Sequence, residues 1–164
     1  MAILPILRFP DPRLRLPCKP VEAFEARLAE CAADLAATMR AAPGIGITAA
    51  HVGILERLTV IELDGPASQR VYVNPAVTWF SPELQRHAEG SVSMPGVTDE
   101  VERPARIRLT YQDLAGKTHS EEADGLLAVC LQHEIDQLDG IFWIDRLSRL
   151  KRERIVRKFR KAGE

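Results

Sequence analysis

The residues with most chemistry to offer lie together in Gln132-His-Glu-Ile-Asp-Gln137. Helical side chains four positions apart share a face, so a His-Glu-x-x-His run lets two imidazoles grip one metal ion. The Glu beside the first His then polarises a metal-bound water and carries its proton. Here His133 and Glu134 fill the first two places, and Gln137 stands where the second imidazole belongs. Two upstream runs also combine glycines with polar side chains: Gly44-Ile-Gly-Ile-Thr-Ala-Ala-His51 and Glu89-Gly-Ser-Val-Ser-Met-Pro-Gly96.

The elements that must position these residues follow from periodicity. From about Asp124 to Leu138 the residues Leu126, Leu127, Val129, Cys130, Leu131, Ile135 and Leu138 predict a helix apolar nearly all round, hence buried. Its polar residues then need partners or a purpose, because desolvating charge alone is costly. Val21, Phe24, Leu28, Cys31, Leu35 and Met39 predict an amphipathic helix from Val21 to about Arg40, stopped by Pro43-Gly44. Leu58 to Leu63, Arg70 to Asn74, Val77 to Phe80, Gln85 to Ser91 and Ala105 to Gln112 read as strands, with a hairpin turn at Asp113 to Gly116. A last helix is expected from about Arg146 to Lys161, apolar on one side and basic on the rest. The prolines among residues 5–20 keep the opening segment extended or turning.

With 164 residues and neither repeat nor linker, one domain spanning 1–164 is expected. A net charge of -1 predicts no general attraction to DNA or membrane, although nine of the 22 Lys and Arg residues crowd between Arg146 and Lys161. The odd count of three cysteines argues against a disulfide framework, and no apolar run suits a signal peptide or membrane span. A cytoplasmic location is expected.

The three motifs, in this order and spacing, resemble those of peptide deformylases, which read GxGxAAxQ, EGCLS and QHExDH. The likeness extends to Ile-Leu-Arg-Phe-Pro-Asp-Pro at the start, Tyr-Val-Asn-Pro at 72–75 and Gly-Ile-Phe-Trp-Ile-Asp-Arg-Leu at 140–147. It implies an α+β fold with antiparallel sheets around a central buried HExxH-type helix. The implied ancestral reaction removes formyl from the N-terminal methionine of new polypeptides. The implied metal is Fe2+ or Zn2+, held by one Cys and two His.

Carried over residue by residue, His133 is the retained ligand position and Glu134 the general acid/base. Ser91 and Gln137 are the substituted ligand positions, and His51 replaces a Gln that helps hold the oxyanion. Val92 would supply a backbone N–H to the same oxyanion, with Gly44, Gly46 and Gly90 lining the substrate site. A neutral hydroxyl and a carboxamide are poor substitutes for thiolate and imidazole, so no cofactor is expected at high occupancy. Deformylation is therefore expected to be lost or very weak, leaving a binder of peptide N-termini.

The alternatives are an active amide hydrolase, either weakly metal-dependent or a metal-free Ser91–His133 enzyme, and a ribosome-associated binding module acting through helix 146–161. His51 is a further option as a substitute ligand or oxyanion donor, and Cys130 as a replacement thiolate or plain packing residue. His87 and His119 read as surface residues, Cys18 and Cys31 as packing. Arg103 and Asp136 are expected in buried or half-buried ion pairs.

Overall fold

The computed structural model describes residues 1–163. Three α-helices and seven strands build it: α1 (Ala26–Ala41), β1 (Gly46–Thr48), β2 (Leu58–Ile61), β3 (Arg70–Phe80), β4 (Leu84–Ser91), β5 (Met94–Pro104), β6 (Arg106–Gln112), β7 (Thr118–Asp124), α2 (Gly125–Leu138) and α3 (Arg149–Ala162). A five-stranded antiparallel sheet has the order β1-β2-β3-β6-β7, and β4 pairs with β5 as a separate hairpin.

Alternation along the strands decides where the helices go. Val60 and Val73 pack in one core cluster with Leu28, Leu35 and Met39 of α1, whereas their neighbours Ile61 and Tyr72 pack in another with Ala128 and Leu131 of α2. Successive strand residues point to opposite faces, so α1 and α2 lie on opposite faces of the sheet. The β4–β5 hairpin and α3 enclose a third cluster that includes Met94, Val97, Val101, Phe142, Trp143, Ile155 and Phe159. The expected α+β architecture around a buried helix is present. No helix among the described residues is long and apolar enough to cross a membrane.

Several boundaries differ from expectation. The first helix starts at Ala26 instead of Val21, because the Asn74 side chain takes both backbone groups of Val21 and holds that stretch extended (Val21 N–H to Oδ1 2.7 Å; Nδ2 to Val21 carbonyl 2.9 Å). Arg70–Phe80 is one strand, with a register shift between Val73 and Ala76 that absorbs Asn74 and Pro75; Asn74 has φ 51°. The last helix starts at Arg149, where the Ser148 side chain caps it by accepting from Lys151 N–H, and Trp143–Arg146 forms a 3-10 turn. Strands β1 and β5 were not foreseen, and β7 was expected only as the unnamed return arm of the hairpin turn at 113–116. Asn74→Ala removes the clamp on Val21 and the contact with Gln112, and leaves a β-carbon at an unfavourable φ. Urea unfolding should show a loss of about 2–3 kcal/mol.

Candidate functional site

Helix α2 offers His133 and Glu134 to a cavity of about 440 Å³, whose other walls come from Gly44–Gly46, His51 and the β4–β5 turn carrying Ser91 and Val92. The three sequence motifs therefore meet in one place. The N-terminal segment straps two of them: Leu7 N–H donates to the His51 carbonyl (2.7 Å) and Phe9 N–H to the Ser93 carbonyl (2.8 Å). Gly44, Gly46 and Gly90 all border the cavity. Their role here is close approach and not backbone conformation: a Cβ on Gly44 would lie 2.8 Å from Val92 Cγ1, and one on Gly46 3.2 Å from Glu134 Oε1.

His133 is fixed from behind. Its Nδ1 meets Glu89 Oε1 at 2.8 Å, and its Nε2 lies 3.6 Å from Glu134 Oε1. Glu89 is also gripped by Arg103 (Nε–Oε2 2.6 Å, Nη2–Oε1 2.9 Å). Arg103 in turn reaches Asp136 at 2.9 Å, and Arg146 binds Asp136 through two hydrogen bonds of 2.9 and 2.8 Å. The expected ion pairs of Arg103 and Asp136 are thus present; the placement of Glu89 behind His133 was missed. A signal for it existed, an acid and an Arg in neighbouring strand segments next to a buried helix with charged residues.

Burial alone would raise the Glu89 pKa, but hydrogen bonds from His133 and Arg103 outweigh it and hold the carboxyl down at about 2. Burial would lower that of His133, yet the Glu89 hydrogen bond and the charges of Glu134 and Glu89 raise it. Glu134, only 4% exposed, has no compensating partner for Oε2, and burial pushes it up to about 7.

His51 sits 1% exposed at the third position of a short 3-10 turn. Its Nδ1 accepts the Thr48 backbone N–H at 2.9 Å and lies 3.0 Å from Thr48 Oγ1. That assigns the ring hydrogen to Nε2, which has no partner in the protein. Burial, then the charge of His133, pushes its pKa down to about 3, so the ring is neutral. An imidazole whose only lone-pair nitrogen is already engaged cannot ligate through the other. His51 is accordingly a donor, and the substitute-ligand reading is set aside.

The two positions expected from the motifs to be substituted ligand positions also take up structural hydrogen bonds. Ser91 Oγ accepts from Ser93 N–H at 3.1 Å, and among the described residues no hydrogen bond joins it to His133. Gln137 is buried, donates its amide to the Leu14 carbonyl at 2.6 Å, and is not part of the cavity wall. Cys130 does line the cavity, but burial pushes its thiol up to about 12, which leaves it unionised. Exposed His87 reaches the cavity rim, whereas His119 pairs with Asp113 far along the sheet. Among the described residues no group of three or more His, Cys, Asp or Glu side chains is placed to hold a metal ion.

Fold and site together define a hydrolase scaffold built around a His–Glu helix. The family model for polypeptide deformylase matches residues 3–153. A protein of Brucella suis called peptide deformylase-like is 60% identical over 161 residues, covering 98% of both chains. A second protein of the same strain, called peptide deformylase, is 45% identical over 166 residues and covers 99% of this chain and 95% of its own. The crystal structure of a peptide deformylase from Legionella pneumophila superposes with a TM-score of 0.93 at 39% identity, covering 99% of this chain and 96% of that one. The chain belongs to the polypeptide deformylase family.

Because Glu134 ionises only against burial, its contribution has a definite sign. A carboxyl whose pKa rises from 4.5 to about 7 on folding supports the folded state fully below pH 4.5 and loses that support as pH rises through 7. Glu134→Gln, neutral throughout, should gain roughly 2–3 kcal/mol over the parent between pH 5 and pH 8 in paired urea titrations.

Proposed function

We propose that this chain keeps the deformylase scaffold as a binder of peptide N-termini and has given up metal-dependent deformylation. The family uses a divalent metal at this place. The residues here do not fit one. The observation that carries this reading is the chemistry of the former ligand positions: Gln137 turns its amide to the Leu14 carbonyl and does not border the cavity, and Ser91 offers a neutral hydroxyl that accepts from Ser93 N–H. That leaves His133 as the one imidazole with a nitrogen toward the former metal place, with the Glu134 carboxyl 3.6 Å from its Nε2 and, among the described residues, no thiolate or second imidazole beside it. Losses even in the shell behind a metal's ligands cost about 10–100-fold in affinity or activity, and loss of two direct ligands costs more. The occurrence in one Brucella strain of both a peptide deformylase and a peptide deformylase-like relative fits such a division of labour.

Metal analysis of freshly purified protein, paired with turnover of a formyl-Met peptide, tests the reading. Metal far below one per chain and no turnover are expected. Replacing both positions (Ser91→Cys with Gln137→His) should restore metal binding, and a further Glu134→Ala should abolish any turnover so gained. Stoichiometric metal in the parent, with activity lost in Glu134→Ala, overturns the proposal.

The binder is proposed to work in the cytoplasm near nascent chains, with α3 as its ribosome contact. The support is that α3 buries Ile155 and Phe159 and turns Arg157, Lys158, Arg160 and Lys161 outward. Co-sedimentation with ribosomes should weaken steeply with salt, and should be lost when Arg157, Lys158 and Arg160 are changed to Glu. These positions are exposed, so the fold should survive; binding indifferent to salt and to these changes would exclude the contact.

A further inference from the structure

Helix α2 borders a second cavity on another of its sides. Val129, Cys130, His133 and Glu134 face the first cavity, whereas Gln132, Ile135 and Asp136 face one of about 580 Å³. At about 100° per residue, these two sets lie on nearly opposite faces of the helix. The second cavity has apolar walls that include Pro75, Val77, Pro104 and Ile141, together with Phe80, which is 54% exposed. Two arginines from separate elements line it as well: Arg57, just before β2, and Arg146, from the 3-10 turn before α3. Arg57 donates only through Nη1, to the Leu138 carbonyl (3.2 Å) and to Asp139 (2.9 Å). Arg146 donates through Nε and Nη2, both to Asp136. Among the described residues, Arg57 Nε and Nη2 and Arg146 Nη1 therefore carry hydrogens that no protein group accepts. The acids of the lining are already taken: Glu102 has Arg86, Asp136 has Arg103 and Arg146, and Asp139 has Arg57. What the cavity offers a guest is spare cationic N–H over apolar walls.

We propose that this second cavity binds an aromatic carboxylate, its ring against Phe80, Pro75 and Pro104 and its carboxylate oxygens bonded by Arg57 and Arg146. Guanidinium N–H groups match the two oxygens of a carboxylate, and such charge-assisted bonds are about twice as strong as neutral ones. Arg57 is also the better-shielded member of its pair: its side chain is 17% exposed, and that of Asp139 48%. A carboxylate inside the cavity meets this guanidinium with less competition from water than Asp139 does. The volume falls within the range of about 300–1,000 Å³ usual for small-molecule sites. An inorganic anion would leave the apolar walls unused, and a neutral aromatic would leave the guanidinium hydrogens unused. The same chemistry belongs to a free arylalkanoic acid and to the C-terminus of a peptide ending in Phe. The site is separate from the cavity proposed for peptide N-termini and does not depend on that reading.

Calorimetric titration of the intact protein with 3-phenylpropanoate, near neutral pH and at low salt, tests this. Saturable one-to-one binding is expected. The uncharged 3-phenylpropanamide, and propanoate without the ring, should each bind at least about tenfold more weakly. Arg57→Gln should weaken 3-phenylpropanoate about tenfold or more. Phe80→Ser, at an exposed position where the fold should survive even if Arg57→Gln does not, should weaken it about threefold or more. Methyl NMR signals of Val77, Ile135 and Ile141 should shift on addition, while those of Leu126 and Val129 in the first cavity stay in place. Acetyl-Gly-Phe with a free C-terminus separates the two sources: tighter binding than 3-phenylpropanoate assigns the carboxylate to a peptide end, weaker binding to a free acid, and either supports the site. Absence of saturable binding in folded protein overturns the inference, as does an amide that binds as tightly as the acid. So do shifts confined to Leu126 and Val129, affinity indifferent to both Arg57→Gln and Phe80→Ser, or displacement of the acid by a formyl-Met peptide in simple competition.

Discussion

The site depends on one buried ionic chain: His133 to Glu89, Glu89 to Arg103, Arg103 to Asp136, and Asp136 to Arg146. It joins β4, β5, α2 and the 3-10 turn before α3, four pieces of chain with no shared ladder except that between β4 and β5. Arg103, 4% exposed, is the hub, because it faces two carboxylates at once. A buried ion pair adds little net stability compared with good apolar packing, but removing one partner strands the others at a cost of about 3–5 kcal/mol. The chain is therefore better understood as a device for orientation. It holds the β4–β5 hairpin against α2 and fixes the His133 ring through Nδ1, so that Nε2 faces the cavity and Glu134.

The parts of this arrangement visible in sequence were those written in periodicity. The α2 residues are apolar at so many positions that burial follows from the pattern, and with it the question of what its charged side chains do. The outer strands were opaque for the opposite reason. Within β5, Asp99-Glu-Val-Glu-Arg103 reads as a charged loop, yet Val97, Val101 and Arg103 alternate inward once the strand is paired with β4. Likewise β7, Thr118-His-Ser-Glu-Glu-Ala-Asp124, has poor strand propensity and takes its conformation from continuous pairing with β6. Asn74-Pro75 looked like the end of a strand because proline cannot donate to a ladder; the register shift there absorbs the break.

The site was legible as a set of residues and not as a set of bonds. Each motif named members of the cavity wall, but the partners that decide their chemistry lie elsewhere in the chain or in the backbone. Gln137 is defined by the Leu14 carbonyl, 123 positions away, and no local pattern announces that. For His51 a local clue did exist, since Thr48 three residues earlier makes a capping box in which the histidine takes the place usual for Glu or Gln. Its consequence, a ring tautomer fixed by a backbone N–H, emerges only when the bond is seen.

The substitutions around the cavity share one chemical direction. Ser91 presents a neutral hydroxyl, Gln137 turns its amide to a backbone carbonyl, and His51 shows a hydrogen instead of a lone pair, which under the proposed reading all lead away from metal binding. Glu89, Arg103 and the close glycines at 44 and 46 meanwhile hold His133 and Glu134 in position. The cavity of about 440 Å³ is bordered by two residues with a buried polar atom that no protein group answers, His51 and Glu134, so apolar side chains have not filled the space between the three motifs.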